Sequence, residues 1–230
     1  MKTVLITGAS TGIGKATAIY FAEKGWNVVA TMRNINSLDL CNYPNIIKLK
    51  LYVNDNKSIS DAINSSIETF GKVDVIINNA GYAAAGAFEC ASQEQIKKQF
   101  DVNVFGLMNV TRAILPHFRK NNSGTIINLA SVAGHAGFPT FTLYNSTKFA
   151  VEGFSEALQY ELRQFNIKVK IVEPGPIKTD FYDRSMDKIE NPEITEYDSF
   201  INPAMKKMTE MGMKGLPPKL RPLQCKLFVK

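Results

Sequence analysis

Short apolar runs alternate with longer amphipathic stretches through the first two-thirds of the chain, and this alternation restricts the fold more than any other feature. Residues 3–7, 27–31, 46–51, 73–77, 124–129 and 168–173 read as strands, most with continuous Val/Ile/Leu centres. A strand that is apolar on both faces is covered on both faces, as in a parallel sheet. Stretches 12–24, 55–70, 92–120 and 142–165 read as helices, with 92–120 breaking into two near Phe100-Asp101. Asp55 sits where an N-cap opens the helix that carries Ile59, Ala62, Ile63 and Ile67 at helical spacing. Gly25 and Gly71 sit where helices stop. Strand–helix–strand repetition implies right-handed crossovers, an α/β class and a doubly wound parallel sheet with helices on both faces. No repeat or composition shift divides the first 180 residues, so a single domain is expected.

Bulk properties narrow the function classes. The net charge of +6 is dispersed, with no Lys/Arg block and no reading motif, so nucleic acid is not expected as a partner. No apolar run is long enough to span a bilayer. The opening Val4-Leu5-Ile6 reads as a first strand rather than a secretory leader. Cys41, Cys90 and Cys225 are scattered without metal-like spacing, which points to a reducing, cytoplasmic setting and to no metal site.

The first strand runs into Thr7-Gly8-Ala9-Ser10-Thr11-Gly12-Ile13-Gly14 and then a helix. Gly8 permits a sharp turn, Gly12 keeps a side chain away from a pyrophosphate, and Gly14 lets the helix approach the sheet. The helix N-terminus offers free N–H groups and partial positive charge to an anion. Three glycines in a turn are weak evidence alone; the strand before and the helix after make them a dinucleotide site of Rossmann type.

With these motifs the chain resembles the short-chain dehydrogenase/reductase family over about residues 3–185. Asn78-Asn79-Ala80-Gly81 after the fourth strand and Pro174-Gly175-Pro176-Ile177-Lys178-Thr179 after the sixth match turns of that family. The resemblance implies a cofactor site made of Gly8, Ser10, Thr11, Gly12, Ile13, Gly14, Arg33, Val53, Asn79, Ala80, Gly81, Pro174, Gly175, Ile177 and Thr179, together with Tyr144 and Lys148. It also implies a catalytic tetrad of Asn103, Ser131, Tyr144 and Lys148. Tyr144 and Lys148 lie four residues apart on a helix and share a face. A phenol near pKa 10 is a poor acid–base catalyst at neutrality, and a nearby ammonium lowers that value. Ser131 is expected to hold the substrate oxygen, and Asn103 to anchor a water that relays protons to Lys148. A bare Tyr-x3-Lys match carries little weight, because Tyr20 and Lys24 repeat it; Tyr144 is preferred for its place after the strand that ends at Ser131.

No acidic residue occurs between Thr31 and Leu38, whereas Arg33 is present, so NADP(H) is favoured over NAD(H). Thr11 replaces the second basic marker of the family, and Tyr52 stands where an adenine-seating aspartate is usual. The expected activity is hydride transfer between the nicotinamide and a carbonyl or secondary alcohol of a small, apolar substrate, in a hydroxysteroid/retinol-like branch. The alternative is a non-catalytic nucleotide-binding sensor or scaffold. Residues 1–185 are expected to form the dinucleotide-binding and catalytic part, and 186–230 a substrate loop and irregular tail of the same domain. Met205, Met208 and Met211 recur every three residues, which suits either a substrate-lining stripe or a helix packed on the body. Pro217, Pro218 and Pro222 bar a regular helix, so the C-terminus reads as shortened. His117 is expected to be solvated, and His135 to border the pocket at most. A homodimer or homotetramer through the helices at about 101–120 and 142–165 follows from the resemblance.

Overall fold

The computed structural model describes residues 1–37, 42–179, 181 and 185–217. Six strands form one parallel sheet: β1 (Thr3–Ile6), β2 (Asn27–Met32), β3 (Ile46–Lys50), β4 (Val75–Asn78), β6 (Gly124–Leu129) and β7 (Ile167–Val172). Their spatial order is β3-β2-β1-β4-β6-β7, the doubly wound arrangement. Every pairing in it is parallel, with Val4 beside Val28 on one side and Val75 on the other. The chain reverses its winding direction between β1 and β4.

Side chains of a strand alternate between faces, and each face has its own core. Leu5, Val29, Ile76 and Ile126 pack beneath α2 (Asn56–Phe70), α4 (Leu107–Lys120) and α5 (Thr142–Leu162). Val4, Ile6, Val28 and Ile77 pack against α1 (Gly12–Glu23). This is why the strands read as continuously apolar. Asp55 caps α2 as expected, accepting from the backbone N–H of Lys57 and Ser58. No helix among the described residues is long and apolar enough to cross a membrane.

The structure departs from the sequence reading in four places. The stretch 92–120 does not break. α3 (Gln93–Phe100) continues through a π-helical turn, Asp101–Gly106, into α4. A π turn re-phases a helix by one residue without ending it, and here it carries Asn103. Gly106 lets that turn close on β3's exit, since a Cβ there would lie 2.6 Å from Val53 Cγ2.

The second departure is a small parallel sheet of β5 (Ala83–Gly86) and β8 (Met186–Ile189). Alanine has little strand propensity, so its run gave no signal. Burial explains it: Ala83, Ala84 and Ala85 are fully enclosed, and small side chains are what fits. Third, His117 is not simply solvated. Its Nε2 accepts the Val73 N–H at 3.2 Å, and burial pushes its pKa down. Fourth, within the expected substrate loop, β8 and a helix, α6 (Asp198–Met213), give regular structure, and the methionines take the second of their two readings as a helix packed on the body. Met205 and Met208 pack on Ala83, Ala85 and Phe141. Leu216 then bridges back to Ile177, whose neighbour Lys178 donates to Leu216 O at 2.8 Å. Residues 218–230, part of the stretch read in the sequence as a shortened tail, lie outside the described residues.

Phe118 has no solvent exposure and fills the space that a side chain at Gly124 would need. Phe118→Ala is expected to cost about 3–5 kcal/mol in chemical denaturation. Phe88→Ala, at an exposed site, is expected to change stability by no more than about 0.5 kcal/mol.

Candidate active site

The carboxyl ends of the central strands open on one cleft of about 630 Å³. It lies at the β1/β4 reversal, where the crossovers diverge and leave room for a ligand. The turn after β1 contributes Gly8, Ser10, Thr11, Gly12 and Ile13 to its wall. Arg33 follows β2, and Val53 follows β3. Asn79, Ala80 and Gly81 follow β4; Pro174, Gly175, Ile177 and Thr179 follow β7. Ser131, Tyr144 and Lys148 complete it. Tyr20 and Lys24, the competing Tyr-x3-Lys pair, are absent from the wall.

Two expected residues stand behind the wall rather than in it. Gly14 packs the first turn of α1 against the strand exits. A Cβ there would lie 2.4 Å from Gly8 O and 2.5 Å from Asn79 Nδ2. Asn103 is 97% buried and holds the turn after β4: its Nδ2 donates to Tyr82 O at 2.9 Å, and its Oδ1 accepts the Tyr82 N–H at 3.1 Å. Nδ2 also approaches Thr147 Oγ1 on α5, at 3.2 Å. Asn103 thereby links the π turn to the two elements that form the site.

The glycine turn is fixed by a clamp that the sequence did not reveal. Thr7 Oγ1 accepts the N–H groups of Asn79 and Ala80, each at 3.0 Å. Asn79 returns its amide to Thr7 O at 2.8 Å and Gly8 O at 3.0 Å. Gly8 and Gly12 adopt positive φ, of 64° and 55°, which suits glycine and strains other residues. Thr11 leads α1 without a side-chain cap. The N–H groups of that first turn therefore have no capping side chain, and the cleft meets them there. These features fit a dinucleotide: an anion site at a helix end, close backbone approach, and a long open cleft.

Opposite that turn, Asn145 organises the loop that leads from β6 to α5. Its amide donates to Ala133 O at 2.7 Å and Ala136 O at 2.6 Å, and its Oδ1 accepts from Phe138 N–H at 3.2 Å. Ser131 Oγ accepts the Ala133 N–H at 3.1 Å. Lys148 is 7% exposed and donates to Leu129 O at 2.7 Å. Its Nζ lies 5.6 Å from the centre of the Tyr144 ring. Burial lowers its pKa to about 8, opposed by the Glu152 carboxylate one turn further along α5. Tyr144 is packed by Phe141 and Phe181, with ring centroids 5.7 and 5.6 Å away. Phe138, Met186, Met208 and Met211 extend this apolar wall, so the methionine helix both packs on the body and lines the cleft. Tyr52 stands at the rim, 42% exposed.

Known proteins share this arrangement. The chain is 38% identical to a 3-ketodihydrosphingosine reductase of Bacteroides thetaiotaomicron over its full length and 84% of that protein. Among solved structures, ElxO with NADP bound superposes with a TM-score of 0.78 at 29% identity, covering 95% of this chain and 87% of ElxO. A short-chain dehydrogenase/reductase of Burkholderia phymatum, in complex with NAD, gives 0.83 at 26% identity, covering 95% and 82%. Residues 2–190 match the family model described as short chain dehydrogenase. The chain thus belongs to the short-chain dehydrogenase family and is a nicotinamide-dependent oxidoreductase.

Proposed function

We propose that this protein reduces the ketone of a long-chain, largely apolar 3-keto compound to a secondary alcohol, with NADPH as the preferred reductant. The observation that carries this reading is the pairing of Tyr144 and Lys148 on one face of α5, at the boundary between the glycine turn and an apolar wall.

The nicotinamide supplies the hydride for the carbonyl carbon. The protein's own groups manage the oxygen and the proton. Tyr144 gives its phenolic proton to the developing alkoxide, and Ser131 Oγ donates a hydrogen bond to the same oxygen. The Lys148 ammonium stabilises the phenolate that remains. One charge at about 5 Å, with an effective dielectric near 20, is worth about 3 kcal/mol, or roughly two pKa units on the phenol. Burial serves this purpose, because a solvated ammonium would be screened. Asn103, buried behind the wall, supports the step by holding the π turn to Tyr82 and Thr147.

Arg33 supports the cofactor preference. It lines the cleft with Tyr52, and no carboxylate from Thr31 to Ser37 competes for a ribose hydroxyl. A guanidinium binds a 2′-phosphate through paired hydrogen bonds, and Tyr52 offers a ring face to the adenine. The apolar wall of Phe138, Phe141, Phe181, Met186, Met208 and Met211 supports the substrate class, as does the likeness to a 3-ketodihydrosphingosine reductase. Residues 1–185 carry nucleotide binding and chemistry in this reading, and β8 with α6 shapes the substrate side. Exposed Phe105 and Phe149, on the π turn and α5, mark the faces through which two or four copies pair, and the reducing cytoplasm is the proposed setting.

Three outcomes are expected. Tyr144→Phe lowers kcat for NADPH-dependent ketone reduction by about 10²–10⁴ while NADPH still binds, as followed by absorbance at 340 nm and nucleotide fluorescence. Arg33→Asp shifts the NADPH/NADH ratio of kcat/KM by about tenfold or more toward NADH; an unchanged ratio removes Arg33 as the reader. Across a series of 3-keto substrates, KM falls as the chain lengthens, by up to about fourfold per methylene until the apolar wall is filled.

A further inference from the structure

Beside the cleft, and not part of its wall, three residues from three elements converge. His135 lies in the loop after β6, Glu152 on α5, and Glu173 just past the end of β7. His135 Nε2 is 3.1 Å from Glu173 Oε1 and 3.7 Å from Glu152 Oε1. All three donor atoms fall within 4.8 Å of one another. The glutamate side chains are 6% and 8% exposed, whereas the imidazole is 44% exposed. Gly134 makes the space, because a Cβ there would lie 2.8 Å from Glu152 Cγ.

We infer that His135, Glu152 and Glu173 form a binding site for a divalent transition-metal ion of the zinc class, which ties the Ser131 loop to α5 and to the end of β7. Glu152 has the Lys148 ammonium one turn before it on α5, whereas a carboxylate as deeply buried as that of Glu173 needs positive charge or donors of its own. Glu173 Oε1 receives no hydrogen bond among the described residues, although His135 Nε2 lies beside it. A ring nitrogen and a carboxylate oxygen 3.1 Å apart, with no hydrogen bond made to that oxygen, leave room for a cation shared between them. The spacing agrees. Zinc bonds nitrogen and carboxylate oxygen at about 2.0–2.2 Å, so two ligands of a tetrahedral ion stand about 3.3–3.5 Å apart. The two measured distances bracket that value. One nitrogen and two carboxylates form a mixed donor set that suits zinc, cobalt or manganese better than magnesium, which favours all-oxygen octahedra with several waters. His135 is 44% exposed, so solvent reaches the cluster and can supply a fourth ligand. Because the residues lie outside the cleft wall, the ion is structural, and it braces the loop that presents Ser131.

The test needs neither nicotinamide nor substrate. The purified full-length chain, freed of metal with a chelator, is titrated with Zn²⁺ by calorimetry and with Co²⁺ by visible absorption. The expected result is one ion per chain with micromolar or tighter affinity, and a rise in Tm of several degrees when Zn²⁺ is added. Glu173→Gln, which keeps shape and removes charge, is expected to weaken binding at least a hundredfold, and His135→Ala at least tenfold, each with an unchanged circular-dichroism spectrum. His117→Ala is expected to leave the titration as it is. No stoichiometric binding overturns the site, as does binding that survives both His135→Ala and Glu173→Gln. If neither variant folds, His135→Asn with Co²⁺ as probe decides: retention of the wild-type cobalt spectrum overturns the site, and its loss supports it.

Discussion

Everything at the catalytic edge depends on the clamp between the first and fourth strand exits. Thr7-Gly8 and Asn79-Ala80 are joined by four hydrogen bonds, and Gly14 closes against Gly8 O and Asn79 Nδ2. These bonds add to the backbone bonds from Thr7 N–H to Ile77 O and from Ala9 N–H to Thr31 O, which anchor the first turn to β4 and β2. Without them, the N-terminus of α1 would have no fixed relation to the turn after β4, and an anion would find its N–H donors unaligned. The clamp is dense because it is largely buried, where an unmade hydrogen bond costs about 1–3 kcal/mol. That cost ties stability to the geometry of the nucleotide site.

A second tier of buried polar contacts positions α5, which carries the proposed catalytic pair Tyr144 and Lys148. Asn78 and Asn128, paired across β4 and β6, are joined to Thr111 on α4 and Ser155 on α5 by bonds of 2.8–3.0 Å. Asn103 links the π turn to Tyr82 and Thr147, and Asn145 fixes the Ser131 loop. Asn103, Asn128 and Asn145 use donor and acceptor together, and Asn78 uses both amide hydrogens, so each fixes two directions at once. The outcome is a lysine kept charged in a place where charge is costly. Burial draws its pKa down to about 8, and the Glu152 carboxylate acts against it. The same carboxylate belongs to the His135 cluster, so the proposed ion and the catalytic ammonium share one electrostatic neighbourhood.

The substrate side follows different physics. It is formed from alanine strands, phenylalanines and methionines rather than from hydrogen-bonded turns. Ala83 and Ala85 provide a flat, close surface on which Met205 and Met208 rest, with Phe141 between. Such a wall selects by apolar area and shape more than by directional bonds, which suits a chain-like substrate.

The parallel sheet, its winding, the helix pattern and the glycine turn were legible in the sequence, because each is a local consequence of periodicity or of glycine's conformational freedom. Tyr144 and Lys148 share a helical face in the sequence as Tyr20 and Lys24 do, and what set them apart was their place after the strand that ends at Ser131. The π turn, the alanine strand β5 and the place of Gly14 and Asn103 behind the wall were not. They are set by packing between elements, against or without local propensity. The convergence of His135, Glu152 and Glu173 lies further still from the sequence, where they are isolated residues with no ligand-like spacing. Only the crossover that sets β6, α5 and β7 side by side brings them together, and burial then makes their charges matter.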